Sequence, residues 1–178
     1  MNTGFVNGAM LGSFVQACLN NKVSLDNDLN QIITVDDTAT QAQKWYPLDI
    51  YQKLCNAVLK TYTDPTPIFE KVGEEMMGLW FNFGPGKSLV HSASEFLKFQ
   101  TGSKGYYSMV KGTAKEIGDF KLVYIDEKDG IALVQSTTPL NRNIEAGVLR
   151  GGVKLFSSTY FARVTKSDDD KYFMVEYH

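Results

Sequence analysis

The sequence predicts an α+β fold in which a helical N-terminal half packs on a four-stranded antiparallel sheet. Apolar side chains recur at helical spacing through residues 1–112, whereas residues 113–178 contain two hairpin patterns in which apolar and polar side chains alternate. A helical pattern separates the two hairpins. The C-terminal half is therefore predicted to run β-β-α-β-β, within a single domain that spans residues 1–178.

Composition excludes several classes of protein. The 178 residues suit one domain with a real core, and 43% hydrophobic and 21% charged residues are typical of a globular protein. A net charge of −2 argues against a nucleic-acid-binding surface. The sequence shows neither a signal-peptide pattern nor an apolar run long enough to span a membrane. Because the two cysteines, Cys18 and Cys55, lie in helical patterns, we expect a cytoplasmic protein without disulfides.

Helix boundaries in the N-terminal half follow from prolines, glycines and capping residues. A short extended piece at Gly4–Gly8 precedes the first helix, and a polar surface loop is predicted at Asp36–Gln43. Pro47 suits the first turn of a helix, and Ser92 with Glu95 can form a capping box. The predicted helices are Phe5–Asn20, a weaker Ser24–Ile33, one opened by Trp45-Tyr46-Pro47, Phe69–Phe83, and Ser88–Gln100.

The most unusual helix is predicted at Asn141–Ser157, between hairpins at Asp119–Gln135 and Thr159–Tyr177. Each glycine inside a helix costs about 1 kcal/mol relative to alanine, yet two lie on its apolar stripe. We therefore expect a sheet, a second helix or a ligand to approach that stripe closely, and we favour packing. The stripe consists of Ile144, Gly147, Val148, Gly151 and Leu155.

One segment resembles the end of a phosphate-binding loop, namely Gly84-Pro85-Gly86-Lys87-Ser88. That motif needs a glycine five residues before Gly86, where this chain has Phe81, and it needs a preceding strand rather than a helix. The segment is therefore predicted to be a helix–helix turn capped by Ser88.

No convincing catalytic or metal site is evident. His91 pairs with Glu95 at i+4 on the polar face of its predicted helix, and a lone histidine cannot hold a metal. Cys55 is predicted to be a buried thiol, since a nucleophile would need a base that the sequence does not place beside it. We therefore predict no catalytic residue, no metal and no enzyme, with a Cys55-dependent activity as the alternative.

Aromatic side chains gather where the helical half meets the sheet. Such a cluster fills a core or lines an apolar pocket, because clefts between layers are common ligand sites. Arg142 and Arg150 of the glycine-bearing helix are expected mainly in solvent, although they could face one shared anion. The candidate pocket consists of Trp80, Phe83, Tyr106, Tyr107, Met109 and Arg150.

Four short features occur in an informative order: Phe5-Val6-Asn7-Gly8-Ala9-Met10-Leu11, Tyr46-Pro47, Lys71-Val72-Gly73-Glu74, and the glycine-rich helix Ala146–Gly152. In this order they resemble an uncharacterised family abundant in myxobacteria. That family lies within the superfamily of haem–nitric-oxide-binding domains, vinyl-reductase-type small-molecule-binding domains and TRAPP vesicle-tethering subunits. The resemblance implies a bacterial ligand-sensing or protein-interaction module rather than an enzyme.

Haem-binding members of that superfamily carry a Tyr-x-Ser-x-Arg motif for the haem propionates, which neither Tyr107-Ser108 nor 160–163 reproduces. We therefore expect no cofactor, disfavour haem, and do not carry a ligand role over to His91. The leading hypothesis is a regulatory or adaptor domain that acts through a protein partner or as a homodimer. The alternative is a sensor or carrier of an apolar acyl or tetrapyrrole-like ligand, held in a pocket between helices and sheet.

Overall fold

The computed structural model describes residues 4–25 and 43–178 and has the predicted α+β fold. The described residues form two antiparallel sheets, one of three strands and one of four, and helices pack against both of them. No helix within these two ranges is long and apolar enough to cross a membrane. The predicted helix Ser24–Ile33 and loop Asp36–Gln43 lie almost entirely outside the described residues.

The three-stranded sheet joins distant parts of the chain. Its strands are β1 (Phe5–Asn7), β2 (Trp45–Pro47) and β3 (Val110–Lys111), with β1 in the centre. Val6 of β1 is opposite Tyr46 on one side and Val110 on the other. The prediction that Trp45-Tyr46-Pro47 opens a helix was wrong. These residues form a strand that pairs with β1, and the helix begins at Leu48, directly after Pro47.

Capping side chains define two of the helix starts. The Asn7 side chain accepts a 2.9 Å hydrogen bond from the Met10 N–H at the start of the first helix. The predicted helix Ser88–Gln100 is divided, since Val90 adopts an extended conformation and Ser92 starts a new helix by accepting the Glu95 N–H. The helices before the large sheet are α1 (Gly8–Asn20), α2 (Leu48–Thr61), α3 (Thr66–Phe83), α4 (Gly86–Leu89), α5 (Ala93–Gln100), α6 (Tyr106–Met109) and α7 (Ala114–Ile117).

The four-stranded sheet confirms the predicted β-β-α-β-β order. Its strands are β4 (Phe120–Asp126), β5 (Ile131–Ser136), β6 (Ala162–Lys166) and β7 (Tyr172–Tyr177), arranged β4-β5-β7-β6 and paired antiparallel. The inner face is buried, as the period-two pattern predicts. It includes Ala132, Val134, Phe173 and Val175.

The glycine-bearing helix, α8, runs from Arg142 to Val153 with Asn141 as its N-cap, shorter than the predicted Asn141–Ser157. A β-carbon added at Gly151 would lie 2.6 Å from the Glu74 Cα of α3, and one added at Gly73 would lie 2.8 Å from the Val148 N. The predicted close approach is thus confirmed, and the element that makes it is α3. Backbone contacts this close leave no space for a ligand between α3 and α8.

Candidate functional site

The side chains of the candidate pocket lie in several separate environments. Trp80, near the end of α3, contacts two rings of α5, with centroid distances of 6.3 Å to Phe96 and 5.4 Å to Phe99. Phe96 is fully buried, and its ring lies against Gly152 of α8. Trp80 therefore belongs to the apolar contact between α3, α5 and α8.

The two tyrosines of α6 lie at the beginning of β4. The Tyr106 hydroxyl donates to the Ile117 carbonyl, and its ring centroid lies 5.8 Å from that of Phe120. The Tyr107 hydroxyl accepts from the Phe120 N–H at 3.1 Å and donates to an Asp119 carboxylate oxygen at 3.2 Å. These hydroxyls already have partners, so they hold the connection to β4 in place.

The remaining three candidates do not join either group of aromatic residues. Phe83 is 86% exposed at the end of α3, and Met109 is half-buried against the core. Arg150 forms ion pairs with Glu70 at 2.9 Å and with Glu74, which tie α8 to α3. The expectation that Arg150 lies mainly in solvent is wrong, because its side chain is 25% exposed and has two carboxylate partners. A shared ligand pocket for the six residues stays a prediction.

A buried carboxylate, which the sequence analysis missed, lies at the start of α8. Glu145 is only 4% exposed and accepts hydrogen bonds from Ser136 Oγ at 2.9 Å, Thr138 Oγ1 at 2.6 Å and Arg142 Nη1 at 2.7 Å. Burial raises the pKa of the Glu145 carboxyl, and the three donors oppose that shift. The sequence feature that could have indicated this network is the pair Ser136 and Thr138 at and just after the end of β5, followed by Arg142 and Glu145 at i, i+3.

Arg142 extends this network to the backbone. Its guanidinium donates to the carbonyls of Thr138 at 2.9 Å, Leu140 at 3.2 Å and Asp170 at 3.0 Å. The Glu145–Arg142 pair therefore connects the β5–α8 turn with the turn between β6 and β7. The described donors to Glu145 come from β5, the β5–α8 turn and α8, and together they hold the carboxylate in place.

The two thiols are buried in the helical layer. Burial raises the pKa of both Cys18 and Cys55 to about 12. The nearby Tyr51 is fully buried, and its hydroxyl accepts the Asn141 N–H at 3.1 Å. A thiol of this kind is protonated near neutral pH and is a poor nucleophile.

Neither histidine of the chain is buried. His91 is exposed just before α5, where its backbone N–H donates to a Glu95 carboxylate oxygen at 2.8 Å. His178 is exposed and stacks on Phe161 at a centroid distance of 5.8 Å. Over the ranges 4–25 and 43–178, no three His, Cys, Asp or Glu residues are grouped so as to hold a metal ion.

No protein-family model matches the chain, and no curated protein matches it significantly. Solved structures do match over nearly its full length. The unliganded Fe(II) H-NOX protein from K. algicida has a TM-score of 0.62 at 13% identity, covering 97% of this chain and 96% of that one. An oxygen-binding H-NOX domain related to soluble guanylate cyclases, in its oxygen complex, has a TM-score of 0.60 at 14% identity, with 96% and 94% covered.

These neighbours correct one expectation of the sequence analysis, that the chain takes no cofactor and that haem is disfavoured. One of the matching structures concerns haem distortion in the H-NOX family, and this finding overturns the expectation that haem is disfavoured.

Haem iron is held by His, Cys thiolate, Met or Tyr. Both histidines of this chain are exposed. Among the described residues, the buried groups of the helical layer that could ligate iron include the protonated thiols of Cys18 and Cys55, the hydrogen-bonded Tyr51 hydroxyl and the thioethers of Met10, Met76 and Met77. The residues as arranged here therefore do not fit a histidine-ligated haem. The chain shares the fold of the H-NOX domains at 13–14% sequence identity.

Proposed function

We propose that residues 1–178 form a single non-enzymatic domain that binds a small apolar ligand and signals its presence. The observation that carries this proposal is the end-to-end fold match, which covers 96–97% of this chain and 93–98% of the H-NOX chains. At this coverage, neither of the two compared chains has a large segment without a counterpart in the other. Haem or another flat tetrapyrrole is the first ligand class to test, and an acyl chain is the second.

The junction of α3, α5 and β4 remains our proposed binding region. Trp80 lies where α3 contacts α5, Tyr106 lies beside the start of β4, and each ring contacts two other aromatic rings. Aromatic surfaces of this kind stack on flat apolar ligands. Because α3 and α8 touch through their backbones, a ligand would enter beside the aromatic rings rather than between these two helices.

A titration with two porphyrins tests the proposal. Purified protein is titrated with haem and, in parallel, with metal-free protoporphyrin IX, while Trp fluorescence and Soret absorption are recorded. We expect saturable 1:1 binding of both with similar affinity, because the interior offers no histidine to favour iron. Trp80→Phe removes the tryptophan of the proposed region and should abolish most of the fluorescence quenching, whereas Trp45→Phe, at the small sheet, should not.

Absence of saturable binding for haem, protoporphyrin IX and a long-chain fatty acid would contradict the sensor proposal. Much tighter binding of haem than of protoporphyrin IX would instead show an iron ligand, and His91→Ala and His178→Ala would then test the two exposed histidines. Equal quenching in both tryptophan variants would indicate that the ligand does not bind next to Trp80.

The hypothesis of a protein-interaction adaptor has less support than the sensor hypothesis, since the structural neighbours are described as haem-containing, ligand-binding proteins. Contact with a protein partner and formation of a homodimer both stay predictions. Light scattering during size-exclusion chromatography, with and without bound porphyrin, would measure whether the chain self-associates and whether ligand changes it.

A further inference from the structure

The four-stranded sheet has one face against α8 and one face turned away from it. Ser136 of β5 is fully buried and donates to Glu145 of α8 at 2.9 Å, so α8 covers the inner face. On the opposite face, which we call the outer face, strand pairing aligns side chains of all four strands in rows. The middle row is Tyr124, Leu133, Met174 and Thr165, and the charged row is Asp126, Ile131, Glu176 and Arg163.

The middle row is apolar over three of its four strands. Tyr124 is 54% exposed and Met174 is 40% exposed, and Leu133 of β5 lies between them. Val123, at the register shift of β4, adds a further side chain that is 53% exposed. The solvated face of an antiparallel sheet usually carries polar side chains, and a continuous exposed apolar patch is typical of a protein–protein contact. These four residues form an apolar stripe across the outer face.

The charged row places opposite charges at opposite edges of the sheet. Asp126 is at the end of β4, on one edge, and Arg163 lies on β6, at the other edge. The Asp126 carboxylate accepts hydrogen bonds from the Tyr124 hydroxyl and from two N–H groups of the β4–β5 turn, all of them uncharged donors. Arg163 pairs with Glu176 through Nε at 2.6 Å and Nη2 at 2.8 Å, and a guanidinium has further N–H donors. Both Asp126 and Arg163 can therefore bind a further group of opposite charge.

This pattern is complementary to itself. When a second copy is turned over about an axis parallel to the strands, β4 of one copy faces β6 of the other, and β5 faces β7. Asp126 then faces Arg163 of the second copy, and Leu133 faces Met174 of the second copy. A twofold axis makes each of these contacts twice. Packed sheets keep their strand directions within about 30° of each other, which preserves these neighbours.

We propose that the chain forms a homodimer in which the outer faces of the two large sheets pack on each other. The apolar stripes of the two copies meet in the centre, and Asp126 of each copy pairs with Arg163 of the other. The dimer does not depend on the ligand proposed above, because the outer face lies on the side of the sheet away from α8.

The row at the other end of the outer face fits the same orientation. Lys121 of β4 lies across the sheet from the acidic turn between β6 and β7, Asp168–Asp170. In the dimer, Lys121 faces this turn of the second copy. Because Lys121 is also paired with Asp119 of its own chain at 2.9 Å, this contact contributes less than the one in the charged row.

The size of the outer face predicts a weak dimer. Four strands about 4.8 Å apart, each with about six residues of about 3.4 Å, give a footprint of roughly 20 Å on each side. Each partner of a standard stable interface buries about 800 Å², and this footprint is smaller. We therefore expect a dissociation constant of roughly 10–100 µM. At this strength the chain is monomeric at the protein concentrations of about 1 µM used in denaturation experiments.

Sedimentation equilibrium at protein concentrations from about 1 µM to about 500 µM measures the association. We expect the average mass to rise from that of one chain toward that of two. Met174→Glu places a charge in the apolar stripe and should abolish this rise. Leu59→Glu is the matched control, because Leu59 is a 51% exposed side chain on α2, and it should dimerise like the wild type.

A double-mutant cycle tests the orientation. Asp126→Asn and Arg163→Gln should each weaken dimerisation about three- to tenfold, as expected for exposed ion pairs formed twice. Combined, they should weaken it no more than either does alone, because both remove the same contact. Within one chain the two residues are about 14 Å apart across the sheet, where exposed charges are largely screened at a salt concentration of about 0.1 M. Non-additive effects therefore report a contact between copies.

A chain that stays monomeric at about 500 µM would overturn the proposal in favour of a different protein as the occupant of the outer face. A Met174→Glu variant that dimerises like the wild type would overturn it as well, because the copies would then meet through another surface. If Met174→Glu does not fold, Tyr124→Lys on the edge strand β4 takes its place, and a persisting dimer would count in the same way. Additive effects of Asp126→Asn and Arg163→Gln would contradict the proposed orientation.

Discussion

Gly147 of α8 lies directly against the backbone of Glu70 in α3, so that a β-carbon at position 147 would overlap the Glu70 carbonyl oxygen and lie 2.8 Å from its carbonyl carbon. Neither side of this contact is a flexible side chain. The two helices therefore approach as closely as their main chains permit, and the glycines of α8 are required by packing.

Gly147→Ala should lower the free energy of unfolding by about 3 kcal/mol, because the added methyl group forces two backbones apart. Urea denaturation at neutral pH measures this loss. Gly78→Ala in α3 is the matched control, since nothing lies within 4 Å of the added atom. It should stabilise the protein by about 0.5–1 kcal/mol through helix propensity. Similar effects of the two substitutions would contradict packing as the reason for Gly147.

Glu145 should make stability depend on pH. Burial raises its folded-state pKa above the ordinary 4.5, so the folded state binds more protons than the unfolded state. The resulting stability is fully present below pH 4.5 and is lost as pH rises through the folded-state pKa. Relative to Glu145→Gln, which cannot titrate, the wild type should lose up to about 1.4 kcal/mol per pH unit in that window.

The free energy of unfolding of both proteins is measured by thermal or urea denaturation at pH values from about 4 to about 8. The difference between the two proteins at each pH is the contribution of Glu145. A wild type that gains stability relative to Glu145→Gln as pH rises would show that the donors of Ser136, Thr138 and Arg142 outweigh burial.

Cys18 and Cys55 should resist modification in the folded protein. Both are buried, and a pKa of about 12 leaves almost no thiolate at pH 8. With Ellman's reagent we expect essentially no colour from native protein and two thiols per chain in denaturant. Rapid reaction of one thiol without denaturant would revive the hypothesis of a reactive Cys55, and Cys55→Ser would then identify which thiol reacted.

Arg150 should contribute more to stability than a surface arginine. Its side chain is 25% exposed and pairs with two glutamates of α3. Arg150→Met keeps the apolar stem but leaves Glu70 and Glu74 without their shared cation, and we expect a loss of about 1–2 kcal/mol. Arg163→Met is the control, since its side chain is 61% exposed beside Glu176. Its loss should be below about 0.5 kcal/mol, so equal losses in chemical denaturation would contradict the interpretation of Arg150.

Local patterns predicted the large sheet well. The alternation that begins at Phe120 and the turn residues after Asp126 define a hairpin from neighbouring residues alone, and the same holds for Tyr172–Tyr177. The small sheet was not predictable in this way. Trp45-Tyr46-Pro47 forms a strand by pairing with Phe5–Asn7. Neither segment contains a local pattern that predicts its pairing with the other.

The order of the large-sheet strands along the chain, the helix between the hairpins and the need for a close neighbour at the glycines all follow from local sequence patterns. Which element is that neighbour, and the burial of Glu145 among donors from β5 and Arg142, become visible only in the folded chain. The difference lies in the range of the interactions. Periodicity and capping act within a few residues, whereas backbone contact between Gly147 and Glu70, and the burial of a carboxylate, depend on segments that meet only in the folded chain.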